Sequence, residues 1–124
     1  MLNKYQKYGM ESETAAVKYL KKKGYKIIER NFKTKYGEID IIAKDGETIV
    51  FIEVKARKNQ NFGSPKESIT YTKIKKLSKS ALFYLKNSKQ TQKKARFDVV
   101  IIKSFADLQK PDIELIKNAF PTAY

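Results

Sequence analysis

Cysteine and histidine are both absent from the 124 residues. With them go thiolate nucleophiles, disulfides, Cys/His zinc sites, Ser/His/Asp triads and imidazole general bases. Chemistry in this chain falls to carboxylates, lysines, hydroxyls or a borrowed metal. No apolar run approaches the roughly 20 residues of a membrane span, and Met1 to Lys7 lacks the apolar core of a signal peptide. Cytoplasmic residence without a membrane partner is therefore expected. Acidic residues are scarce too: 13 Asp and Glu stand against 27 Lys and Arg, a formal charge of +14. That surplus predicts a polyanionic partner, with nucleic acid ahead of anionic lipid.

Hydrophobic residues make up 41% of the chain, too many for a disordered basic tail. The length suits a single domain over residues 1–124 with one modest core. Asn3 and Gln6 resemble a capping box, and Gly24 follows three lysines as at a helix end, so a helix is predicted from about 4 to 23 with Ala16, Val17, Leu20 and Glu13 on its inner stripe. Tyr25 to Phe32 reads as a strand. Gly37 to Ala43 and Thr48 to Arg57 are β-branched runs joined across Asp45-Gly46, a strong hairpin signal.

Lys58 to Gly63 reads as a polar loop. Ser64-Pro65-Lys66-Glu67 then has the cap, first-turn proline and acidic third position of a helix start. That helix is expected to reach about Asn87, with Ile74, Leu77, Ala81, Tyr84 and Leu85 inward and Lys75, Lys76, Lys79 and Lys86 outward. Phe97 to Ile102 reads as a buried strand, and Ile113 to Phe120 is a candidate edge strand. The order α-β-β-β-α-β, with that extra C-terminal strand, predicts an α/β fold with a mixed sheet flanked by helices.

A two-residue Asp45-Gly46 turn pairs Lys44 with Glu47, which sets Asp40 opposite Phe51 and Glu38 opposite Glu53. Asp40, Glu53 and Lys55 then share one face, Asp40 diagonal to Glu53 at a Cα spacing of about 7–8 Å. Ile39, Ile41, Val50, Ile52 and Val54 fill the other face. As surface charges these three residues would need no explanation. Phe51 and Ile42 on the same face, and Glu13 inward on the first helix, argue instead for acidic groups gathered in a partly buried place. Such groups repel unless a cation joins them, and oxygen-only ligation favours Mg²⁺ or Mn²⁺. Lys55 would orient the attacking water or stabilise charge on a phosphate under attack.

Asp40, then Glu53-Val54-Lys55 on the next strand, with Glu13 on the preceding helix, resembles the site of PD-(D/E)xK nucleases, especially the archaeal Holliday-junction resolvase-like branch. The wider pattern resembles the YraN-like bacterial family: Gly24-Tyr25, Arg30-Asn31, Gly37-Glu38-Ile39-Asp40, Phe51 to Arg57, Phe62-Gly63 and Arg96-Phe97-Asp98. Two positions depart from the pattern, Ile39 where the superfamily has proline and Ser12 where a glycine is expected. The resemblance implies a restriction-endonuclease-like fold and a nuclease-type site. It assigns metal ligation to Asp40 and Glu53, an accessory metal or water contact to Glu13, and transition-state or water positioning to Lys55. Resolvase-like enzymes act as dimers, so it also implies a homodimer.

The resulting expectation is a Mg²⁺- or Mn²⁺-dependent endonuclease acting on DNA more than RNA, on structured or branched DNA more than a defined sequence. Arg30, Arg57, Lys75, Lys76 and Lys79 are the expected phosphate contacts, although solvated charge explains each equally well. Tyr5, Tyr8, Tyr19, Tyr71 and Tyr84 are candidates for base stacking or for the core. Two rivals stand beside this reading: a non-catalytic nucleic-acid-binding protein on the same fold, and a basic RNA- or ribosome-associated factor. Asp98, beside a buried strand, reads as a structural acceptor for a neighbouring backbone group or Arg96.

Overall fold

The computed structural model describes residues 4–56, 69–104 and 112–122, the side chains of residues 4–9 and 104 excepted. Seven elements follow in the order α1 (Lys4–Lys22), β1 (Lys26–Thr34), β2 (Gly37–Asp45), β3 (Thr48–Ala56), α2 (Tyr71–Asn87), β4 (Ala95–Ser104) and β5 (Asp112–Phe120). The strands form one sheet in sequence order. β3 and β4 are parallel and every other pair is antiparallel, so α2 lies in the crossover that parallel neighbours require.

The helices cover opposite faces of the sheet. Ala16, Val17 and Leu20 of α1 pack with Ile41, Ala43, Val50, Ile52, Val100 and Ile102. Leu77, Ala81, Tyr84 and Leu85 of α2 pack with Ile42, Ile49, Phe51, Phe97, Val99 and Ile101. Central strands buried on both sides need near-continuous apolar sequence, and Ile49 to Ile52 and Val99 to Ile102 supply it. The rings of Phe51, Tyr84, Phe32 and Phe97 meet edge-on or tilted within the α2 layer. Among the described residues, no helix is long and apolar enough to cross a membrane.

α1 ends as its sequence predicts. Gly24, at φ +92, donates its N–H to Lys21 O, and Tyr25 donates to Leu20 O, closing a Schellman motif. α2 corrects the predicted start at Ser64. Thr70 is extended, at φ −75 and ψ 160, and its hydroxyl accepts from Lys73 N, so the helix begins at Tyr71. The residues of the expected cap, 64–67, lie outside the described residues, as do Asn3 and the loop from 58 to 63.

The hairpin forms, but its register differs from the predicted one by two residues. Asp45 pairs with Thr48 and Ile41 with Ile52, because Gly46 at φ +62 occupies the first central position of the turn instead of the second. A shift of two preserves which residues share a face, so Phe51, Glu53 and Lys55 stay together. Ile39 is a second correction. It packs in the α2 layer with Ile42, not with Ile41, so the alternation of β2 breaks around Asp40.

Candidate active site

The last paired residues of β2 and β3 are Ile41 and Ile52. Asp40, the next residue out, is not paired in that ladder, and Phe51, which the sequence set opposite it, pairs with Ile42. Beyond that point the backbone N–H of Val54 donates to Asp40 Oδ2 at 2.8 Å. The carboxylate side chain thus bridges two strands where the ladder stops. On the other edge of β2, Arg30 pairs with Ile41 and Phe32 with Ile39, which leaves Asn31 facing Asp40. Asn31 is in the left-handed region at φ 53, a conformation asparagine tolerates better than most residues.

Glu53 belongs to the α2 face and is only 7% exposed. Its Oε1 is 3.6 Å from Lys73 Nζ and 3.8 Å from Lys55 Nζ. Its Oε2 is buried and has no hydrogen-bond partner. An unpartnered carboxylate oxygen out of reach of water is costly, so a buried oxygen left this way points to a ligand. Asp40 responds to the same surroundings. Burial first, and the Glu53 carboxylate second, push its carboxyl up to about 7, against the opposing pull of the Val54 N–H, with Glu13 and Glu38 adding smaller upward pushes.

Glu13 reaches this place from the opposite layer. α1 covers the far face of the sheet, so Glu13 does not sit above Glu53 as the inward stripe suggested. It approaches the strand end around Asp40. Its Oε1 accepts from Arg30 Nε at 3.1 Å and Asn31 Nδ2 at 2.9 Å, while Arg30 Nη2 donates to Thr14 Oγ1. Arg30 therefore anchors Glu13, a different task from the phosphate contact expected of it, although its side chain stays 41% exposed. Among the described residues, no three acidic side chains gather closely enough to hold one ion by themselves.

Lys75, Lys76 and Lys79 are exposed on α2 as predicted, and Arg57 lies outside the described residues. Lys73 is the site residue that sequence reasoning missed. Thr70 ahead of the Ile74-Leu77-Ala81 stripe was the available signal, since it makes Lys73 the third residue of the helix and aims it along the first turn. Tyr25 and Tyr84 are buried and belong to the core; Tyr71 is exposed. Asp98 is a structural acceptor: Tyr25 Oη, Arg96 Nε and Asn118 N donate to it at 2.8–2.9 Å, and although it pairs with Ile52, the neighbour of Glu53, it bonds on the α1 side of the sheet with Tyr25 while Glu53 meets α2.

A five-stranded mixed sheet with one helix on each face, carrying acidic groups and lysines where β2 and β3 part, is consistent with the restriction-endonuclease-like class. Residues 12–102 match the model of Uncharacterised protein family UPF0102, and the chain belongs to that family. It is 51% identical over 120 residues to a UPF0102 protein of Desulfosudis oleivorans, covering 97% of this chain and 94% of the relative. A UPF0102 protein of Geotalea uraniireducens is 50% identical over 116 residues, covering 94% and 91%. One from Caldicellulosiruptor saccharolyticus is 48% identical over 112 residues, covering 90% and 95%. The matched family segment contains Glu13, Asp40, Glu53, Lys55 and Lys73.

Proposed function

We propose that this protein is a Mg²⁺- or Mn²⁺-dependent endonuclease that hydrolyses DNA phosphodiesters, on structured or branched DNA more than on a defined sequence. The observation that carries the reading is the buried, unpartnered Glu53 Oε2, together with an Asp40 carboxyl pushed up first by burial and then by Glu53. A divalent cation relieves both, and an all-oxygen donor set suits Mg²⁺ or Mn²⁺. Asp40 and Glu53 would hold it, waters completing the shell, with Glu13 held near by Arg30 and Asn31 as an accessory contact. When bound, such an ion lowers the pKa of its water and offsets charge developing on the phosphate.

The chain's own groups do the rest. Lys55 and Lys73 bring two ammonium groups to the Glu53 edge, where they offset charge on the non-bridging oxygens and orient the attacking water. The α2 layer covers Glu53 and restricts water around it. Exposed lysines on α2 hold the DNA backbone. Non-catalytic nucleic-acid binding is the second reading, favoured by the lack of a three-carboxylate cluster among the described residues.

The deciding experiment is cleavage of four-way junctions, flaps, duplexes and single strands with Mg²⁺ and with Mn²⁺. Asp40→Ala, Glu53→Ala and Lys55→Ala should each lower cleavage roughly a hundredfold or more, the loss of about 2.7–4 kcal/mol typical for a group acting on transition-state charge. Binding should be retained. If no substrate is cut, or cutting persists in the Asp40 and Glu53 variants, the binding reading replaces the enzyme. Competition between DNA and RNA at fixed salt then tests for an RNA-associated role.

A further inference from the structure

The β1–β2 turn is bound to α2. Thr34 Oγ1 lies 2.9 Å from Ser80 Oγ and also accepts from Tyr36 N at 3.0 Å. The next residue, Gly37, lies beside α2: a Cβ there would stand 4.0 Å from Lys76 Cβ, an ordinary van der Waals contact. This docking brings two chain segments' lysines around one ring. Lys35 Nζ stands 5.2 Å and Lys79 Nζ 5.7 Å from the centroid of Tyr36. Lys76 lies between this cluster and Lys73, since positions 73, 76 and 79 follow one another along one side of a helix. A cationic stripe thus runs from Glu53, through Lys73 and Lys76, to Tyr36.

Among the described residues, none of Lys35, Lys76 and Lys79 has a carboxylate partner. Glu38, the acid closest in sequence to the turn, pairs across β1–β2 with Lys33. Like charges collected without counterions raise the free energy of the surface until an anion arrives, and the quadrupole of Tyr36 is what draws two of them together. Four residues of extended strand, roughly 13 Å, separate Tyr36 from Asp40. A nucleic-acid strand with a phosphate at the carboxylates therefore has further phosphates within reach of the stripe.

We propose that the β1–β2 turn and the adjoining side of α2 form a clamp for the sugar-phosphate backbone of a nucleic-acid strand leaving the carboxylate site, with Tyr36 positioning Lys35 and Lys79. The proposal rests on the nucleic-acid reading above and deepens it: the clamp meets phosphates, so it is independent of base sequence. The Thr34–Ser80 hydrogen bond holds the turn in place before the strand arrives.

The test is fluorescence anisotropy with short labelled duplexes of two unrelated sequences, in chelator, across a salt titration. The Lys35→Gln/Lys79→Gln double variant should lower the slope of log affinity against log salt by about 1.8, that is about 0.9 for each phosphate no longer neutralised. Both sequences should respond alike. Tyr36→Leu should weaken low-salt binding about two- to fivefold, whereas Tyr36→Phe, which keeps the ring face, should match wild type. Lys23→Gln removes a lysine poised over Tyr19 on the α1 side and should leave the slope unchanged. A wild-type slope in the double variant, an equal loss in Lys23→Gln, or binding to anionic vesicles without binding to nucleic acid would overturn the clamp. Chelator excludes hydrolysis from this readout, so an inactive protein with the expected slopes defeats the nuclease reading alone.

Discussion

Asp40→Asn should stabilise the protein at neutral to basic pH in chelator, contrary to the usual effect of altering a half-buried polar residue. In the folded chain the Asp40 carboxyl is raised from 3.8 to about 7, first by burial and then by Glu53. A carboxyl raised on folding favours the protonated state. Its contribution is therefore fully present below about pH 4, fades between pH 4 and 7, and is gone above pH 7. At 1.36 kcal/mol per pKa unit the ceiling is about 4 kcal/mol, which relaxation of the parted strand ends and entry of water will reduce. Asparagine keeps an oxygen for the Val54 N–H and carries no charge, so it escapes the penalty. Thermal melts at pH 4.5 and pH 8 are the assay: wild type should lose stability between the two relative to Asp40→Asn, by several degrees. Millimolar Mn²⁺ at pH 8 should restore wild type by joining the two ionised carboxylates and offsetting their repulsion, and should do little for the variant. Parallel pH dependence in the two proteins, or a wild type indifferent to both metals, refutes the reasoning.

Asp98→Ala should cost about 3–5 kcal/mol by urea denaturation, since it leaves the Tyr25 hydroxyl and the Asn118 N–H without their buried acceptor and breaks the pairing with Arg96. Asp98 bonds on the α1 face and Glu53 on the α2 face, so any activity per folded molecule should fall far less than in Asp40→Ala. Thr70→Ala removes the α2 cap and should lower stability by about 1 kcal/mol. The same variant also loosens the turn that carries Lys73, so any cleavage activity should fall by more than folded fraction alone explains.

The elements were largely legible in the sequence because each follows from local rules. Gly24 after a lysine run marks a helix end, alternating or continuous Ile and Val mark strands, and the 74-77-81-84-85 spacing marks the buried side of α2. Glu53 and Lys55 could be placed on one face with Phe51 because a strand's two-residue period fixes faces even when the register is off by two, whereas the break in β2 at Asp40 escapes that rule. Asp98 was legible as an acceptor because a carboxylate beside Phe97 and Val99 demands donors.

Long-range packing decided the remainder. No periodicity tells which layer a helix covers, so only the fold showed that Glu13 reaches Asp40 from the α1 side and that Arg30 holds it there. The choice of Gly46 as first instead of second turn residue moved Phe51 from Asp40 to Ile42, a matter of backbone φ that Asp45-Gly46 leaves open. Lys73 joined the site because Thr70 caps α2 and makes Lys73 the third residue of the helix. Burial of Glu53 Oε2 without a partner depends on α2, β3 and β4 converging from distant parts of the chain, and burial of that kind is written in no single stretch of sequence.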